Sequence, residues 1–167
     1  GPIPRVVFRS HHGVCDGRGT LFWAEEVFRV LRGEPLIGSN SNITDVELCR
    51  SFQNQYRTPF PTEHIAPTGR AKGNDTGVTW RRRSIKGKVP NLLARCARLA
   101  ADEAWRHGDG IVRFGIPVDM RPRQPGIRST ANLSFALYIE VGKDTTPNDI
   151  ARDITRQISH GDEGRLS

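Results

Sequence analysis

Apolar and polar positions change period several times along the chain, and each period predicts an element. Val6 and Phe8 alternate with Val7 and Arg9, and Pro4 suits a strand start, so residues 1–10 are expected to form a strand. Leu21, Ala24, Val27, Phe28 and Leu31 then recur at helical spacing, which predicts an amphipathic helix over 20–32. Glu25 and Glu26 precede Arg29 and Arg32 there, in the order the helix dipole favours, and Gly33 with Pro35 supplies a stop. From 34 to 77 the period is lost except for one short helix. Thr44 and Glu47 can form its capping box, with Val46, Cys49 and Phe52 expected along one face. Proline and glycine punctuate the rest, as in a mobile surface loop.

The pattern returns with Val78-Thr79-Trp80, which predicts a strand over 78–86. Val89, Leu92, Leu93, Cys96, Leu99, Ala100 and Ala104 predict a helix over 89–107 and name its buried stripe. Strands are expected at 111–119 and 131–141, with a Pro- and Arg-rich loop between them. Pro147-Asn148-Asp149 opens a last helix to about residue 159. The order is strand, helix, linker, strand, helix, strand, strand, helix. It points to an α/β sandwich of sheet and helices in two lobes.

Composition changes this picture in two ways. At 167 residues the chain can build one domain with a core, yet its hydrophobic fraction of 36% is low for a self-sufficient one and its Gly and Pro are plentiful, which suggests either much loop or surfaces that another segment covers. A net charge of +7 favours nucleic acid, anionic membrane or phosphorylated and acidic ligands, or else reflects a solvated basic surface. The three cysteines, Cys15, Cys49 and Cys96, are odd in number and lack a Cys-x-x-Cys, which argues against a disulfide framework or zinc finger. With no signal peptide and no run long enough to span a membrane, a reducing, cytoplasmic setting is expected.

The candidate chemistry gathers between the first strand and helix, at His11-His12-Gly13-Val14-Cys15-Asp16-Gly17. Imidazole is the side chain best matched to proton transfer near neutral pH. Adjacent residues on an extended segment face opposite sides, so only one ring of the pair can enter a cleft. Two histidines satisfied within a turn remain the plain alternative. A metal site fits the residue types, but the adjacent rings diverge and no second ligand cluster follows. Gly17-Arg18-Gly19-Thr20 lacks both nucleotide-loop spacings. Cys15, close to a helix start, is a nucleophile by position, but its spacer placement suits packing better. Arg81, Arg82, Arg83, Lys86 and Lys88 form a basic run with few acids nearby. It reads as a solvated face or as an attractor of an anionic ligand. With few interleaved aromatics and no binding fold apparent, nucleic acid is the weaker partner.

His11, His12, Asp16 and Gly17 fit the form His-His-x-x-x-Asp-Gly, and here the chain resembles the chloramphenicol acetyltransferase-like superfamily. That superfamily includes condensation domains of nonribosomal peptide synthetases and acyl-CoA-dependent transferases. A second stretch, Gly115-Ile116-Pro117-Val118-Asp119-Met120-Arg121 with Ala131-Asn132-Leu133-Ser134, looks like the family's Arg-bearing loop and following strand. The resemblance implies acyl transfer from coenzyme A or carrier-protein phosphopantetheine to an amine or hydroxyl, with no cofactor. His12 would be the general base and His11 structural. Asp16 would pair with Arg121, Gly17 would keep the turn open for the thioester, and Asn132 and Ser134 would line the substrate site. The basic run 81–88 would attract the anionic donor or carrier.

Members of the superfamily are more than twice this long. Residues 1–33 would therefore be the end of an N-terminal lobe, 34–77 an inter-lobe connection, and 78–167 part of a C-terminal lobe. The chain is accordingly expected to be part of a longer enzyme, inactive without its remaining N-terminal portion. A non-catalytic carrier-docking domain and a basic nucleic-acid-binding module are the competing functions.

Overall fold

The computed structural model describes residues 5–50, 65–66 and 83–161. Its elements run α1 (Gly17–Leu31), α2 (Asp45–Arg50), α3 (Leu92–Ala104), β1 (Val112–Asp119), a 3-10 turn (Arg121–Arg123), β2 (Ser134–Val141) and α4 (Pro147–His160). Helices thus accompany a two-stranded sheet. Met120 N–H donates to the Leu133 carbonyl, and Gly115 faces the Tyr138 ring, which is the order of an antiparallel pair. Two compact units are interleaved in sequence. One joins residues 1–57 with 117–136, the other 58–116 with 137–162.

In the first unit α1 begins at Asp16, whose carboxylate accepts the Gly19 N–H at 2.7 Å. It ends where Gly33 takes a positive φ of 71°. α2 has the reciprocal cap expected of Thr44 and Glu47: Thr44 N–H donates to Glu47 at 2.8 Å, and Glu47 N–H to the Thr44 hydroxyl at 3.2 Å. Ile43, just before the cap, and Leu48 in the next turn pack with Met120 and Leu133 as this unit's core. Residues 38–40 are stitched to the loop after the 3-10 turn. Asn40 Nδ2 donates to the Gly126 carbonyl, its Oδ1 accepts the Arg128 N–H, and Arg128 Nε donates to the Gly38 carbonyl.

In the second unit α3 packs on α4. β2 turns Leu137, Ile139 and Val141 inward, and Ile150 of α4 joins them among the buried side chains. α4 carries a capping box between Thr146 and Asp149, with Pro147 in its first turn. Arg98 of α3 reaches the carbonyls of Lys143 and Thr145, both at 2.8 Å, while its guanidinium lies over the Trp105 ring.

Several expectations are corrected. Residues 5–10 form no strand, and neither do 83–86. Their apolar alternation favours an extended chain, but a strand also needs a neighbour to pair with. Residues 1–4 and 78–82 lie outside the described residues. The stripe foreseen on α1 is not a buried face, since Leu21 and Leu31 are exposed and only Gly19 of that helix is buried. On α3 the buried residues are Ala94, Ala97, Ala101 and Ala104, while Leu92, Leu93 and Leu99 are exposed. The period identifies residues that share a face, and here the face that is covered carries the small side chains. On α2 the buried residue is Leu48, not Val46, whereas Phe52 and the Cys49 side chain lie outside the described residues.

Candidate functional site

The site is built on the turn between the extended segment and α1. Val14 and Cys15 donate their N–H groups to the His11 carbonyl at 2.9 and 3.1 Å, closing residues 11–15 into a tight turn. The His11 ring completes it. Its Nδ1 accepts the Gly13 N–H at 3.1 Å, so the proton of a neutral His11 ring sits on Nε2. His12, Gly13 and Val14 form the exposed crest. Behind them Ser10 and Thr20 join hydroxyls at 2.8 Å, tying the approach to the turn onto α1.

Immediately after the turn the chain buries a charge. Asp16 is 1% exposed, and its carboxylate accepts five hydrogen bonds: from Gly19 N–H, from Arg121 Nη1 and Nη2, from Leu133 N–H and from the Ser134 hydroxyl. Arg121 is equally committed. Nε donates to the Ser129 carbonyl, Nη1 to Asp16 and Asp119, and Nη2 to Asp16 and the Ala131 carbonyl. All five guanidinium N–H groups are thereby satisfied, so each buried charge has both a partner and a full hydrogen-bond shell. Burial pushes the Asp16 carboxyl up, but the Arg121 hydrogen bonds, the Gly19 and Leu133 amides and the Arg121 charge outweigh it. The net direction is below the usual carboxylate range. For Arg121, burial pulls downward, and the bonds and charges of Asp16 and Asp119 carry the net value upward.

Two clefts adjoin the turn, sharing Val14 and Thr130. The first, about 390 Å³, is bounded by Gly13 and Val14, by segment 39–44 and by residues 129–132. The second, about 320 Å³, is bounded by Arg9, His11, Cys15 and Trp23 as well. The ion pair shapes the first cleft directly. Arg121 holds the Ala131 carbonyl at 2.6 Å and Asp16 holds the Leu133 N–H at 2.7 Å, which fixes Asn132 between them. Asn132 Oδ1 is buried and has no hydrogen-bond partner among the described residues.

The residues singled out from sequence therefore separate. Asp16, Arg121 and Ser134 come together, with the Ser134 hydroxyl spent on Asp16 rather than turned to a substrate. Asn132 lines the first cleft and His11 the second. His12 is exposed on the crest, beside the first cleft's Gly13 and the second's His11. Gly17 opens α1, with free space where a Cβ would point. Arg83, Lys86 and Lys88 are exposed on a segment without regular structure, while Arg81 and Arg82 lie outside the described residues.

Sequence reasoning missed Gly19. A Cβ there would fall 2.2 Å from the Thr130 carbonyl oxygen and 2.9 Å from Cys15 Sγ, so this helix must be bare at the point where it meets the 129–132 loop. A glycine two positions beyond the Asp-Gly pair, early in a helix, was the available signal. It also missed Phe22, whose ring meets the guanidinium groups of Arg128 at 4.7 Å, Arg18 at 5.0 Å and Arg121 at 5.7 Å. Arg128 is anchored in turn by Glu25 and Glu26 at 3.1 and 2.8 Å.

No helix of the described residues is long and apolar enough to cross a membrane. No protein-family model, curated protein or solved structure matches this chain.

Proposed function

We propose that the chain carries the proton-transfer site of an acyltransferase with chloramphenicol acetyltransferase-like lobes. It moves an acyl group from a thioester donor, coenzyme A or carrier-protein phosphopantetheine, to an amine or hydroxyl acceptor. The observation that carries the reading is a division of labour within five residues. Asp16 is sealed in a saturated ion pair and has no lone pair left for chemistry, while His12 sits on the exposed turn just before it, next to two clefts. A transfer from a thioester needs one proton acceptor beside the attacking atom and somewhere for each substrate to lie. His12 takes the proton from the attacking hydroxyl or amine as the new carbonyl bond forms. It returns the proton to the thiolate that leaves. Cys15 and Cys96, both free thiols, accord with a reducing, cytoplasmic setting.

One observation favours a second reading. His12 borders neither cleft itself, as a domain that keeps the motif only to dock a carrier would allow. Exposed Arg83, Lys86 and Lys88 would then meet the carrier's anionic surface. Release of free thiol from an acyl-thioester, with amine and alcohol acceptors present, separates the two. The catalytic reading expects release that drops about 100-fold or more in His12→Ala with the fold intact. Release that is unchanged in that variant removes it.

A further inference from the structure

Helix α3 has two opposed faces. Ala94, Ala97, Ala101 and Ala104 are buried. On the other side Leu92, Cys96, Leu99 and Glu103 recur at alternating spacings of four and three, which lines them up as a single stripe. Leu92 is 44% exposed, Leu99 is 68% exposed, and the Cys96 thiol is free and exposed. Arg95 and Asp102, both exposed, flank the stripe on one side, and Leu93 and Ala100 flank it on the other. The two halves of the helix differ in sign. Arg95, in the first half, has no carboxylate partner among the described residues; its Nε donates to the Pro90 carbonyl at 3.1 Å. Asp102 and Glu103 stand in the second half. Asp102 meets Arg98 at 3.0 Å with its side chain still 48% exposed.

We infer that this face docks a second copy of the chain, the two α3 helices lying antiparallel about a two-fold axis. The stripe then meets its own reverse, with Cys96 opposite Leu99 of the second copy and Leu92 opposite its Glu103. On one flank that register sets Arg95 beside Asp102 of the second copy, and on the other it sets Leu93 beside Ala100. The two-fold axis makes each contact twice. Apolar groups thus meet along the stripe and opposite charges along one flank. Glu103 closes the stripe at its end, where its carboxylate stays with Arg106 at 2.9 Å. A parallel pair would instead set Glu103 against Glu103 and Arg95 beside Ala100, so charge selects the antiparallel one. Each copy contributes one helix of 13 residues, about 20 Å long. The buried area falls below the roughly 1,200 Å² of standard interfaces, and the dimer exchanges readily with monomer. The inference does not rest on the acyl-transfer reading of His12.

Sedimentation velocity of the full chain over about a hundredfold range of concentration tests it. About 0.15 M salt screens the net charge of +7 beyond roughly 8 Å and leaves close pairs in force. The mass is expected to rise from monomer toward dimer and no further, as a closed two-fold contact requires. Leu99→Glu is expected to stay monomeric throughout. Arg95→Asp and Asp102→Arg each set like charges together and are expected to weaken the dimer about fivefold or more. An equimolar mixture of those two variants is expected to recover it, because each chain then meets the opposite sign. Far-UV circular dichroism checks the fold of every variant, and Leu92→Glu stands in for Leu99→Glu if that one unfolds. Wild-type chain that remains monomeric at every concentration overturns the inference. So does a dimer that survives the glutamate variant, or a mixture that associates no better than the single variants.

Discussion

Arg121 and Asp16, 105 positions apart in sequence, meet as a two-pronged pair at 3.0 and 3.2 Å, and no donor of the guanidinium is left unused. The pair joins the start of α1 to the loop after β1, and through Ala131 and Leu133 it sets the backbone on which Asn132 is carried.

Breaking one side of such a pair leaves the other charge buried and alone. Arg121→Ala is expected to cost about 3–5 kcal/mol of folding stability. Arg121→Lys recovers only part of that, because an ammonium cannot fork across both carboxylate oxygens and reach Ser129 as well. Urea unfolding of the two variants, beside an exposed control such as Arg106→Ala, checks it. A loss from Arg121→Ala no larger than the control's refutes the role given to the pair.

The same pair fixes a direction for acid sensitivity. The Asp16 carboxyl titrates below its ordinary value in the folded chain, so the unfolded chain binds its proton first as the pH falls. Its stabilisation is complete above the unfolded value, about 3.9, and is lost as the pH drops past that and through the lower native value. Unfolding free energies measured downward from pH 7 should show this loss in the wild type. Asp16→Asn should flatten the acid limb while lowering stability at neutral pH.

Two glycines near the start of α1 are expected to respond in opposite ways. Gly19→Ala forces the Thr130 carbonyl to retreat from a 2.2 Å approach and should cost roughly 1–3 kcal/mol or more. Gly17→Ala meets open space in the first helical turn and should leave stability equal or up to about 1 kcal/mol higher. If the position serves the thioester, that variant should still release thiol more slowly. Thermal melts paired with the thiol-release assay separate the two effects.

His11 is expected to act through the turn rather than on a substrate. His11→Asn puts an amide oxygen where Nδ1 accepts the Gly13 N–H and should retain activity. His11→Ala loses that bond and should lower kcat about tenfold with KM unchanged. Equal activity of the alanine and asparagine variants would contradict the positioning role.

What the chain disclosed in advance depended on how local the physics was. α1 was legible through its helical period and dipole-matched charge order, and α4 through the Pro147-Asn148-Asp149 that opens it, because each signal acts within a few residues. The α2 cap was legible for the same reason, through Thr44 and Glu47. The Asp16–Arg121 partnership was accessible only through resemblance, since nothing in the spacing joins two residues so far apart. Val6-Val7-Phe8 misled because apolar alternation states a preference for extension, while a strand needs hydrogen bonds from a neighbour. The leucines of α3 misled because period says which residues share a face but not which face is covered. There the covered face is the one carrying Ala94, Ala97, Ala101 and Ala104. Gly19 and the Asn40 stitch to 126–128 were hidden because their partners are loop carbonyls remote in sequence.

Val14 and Thr130 wall both hollows at once. Trimming or enlarging either residue would therefore change the shape of both hollows simultaneously. Changing one hollow alone calls for work on its outer wall, Ser41 and Ile43 on one flank or Trp23 on the other, with that shared partition left as it is.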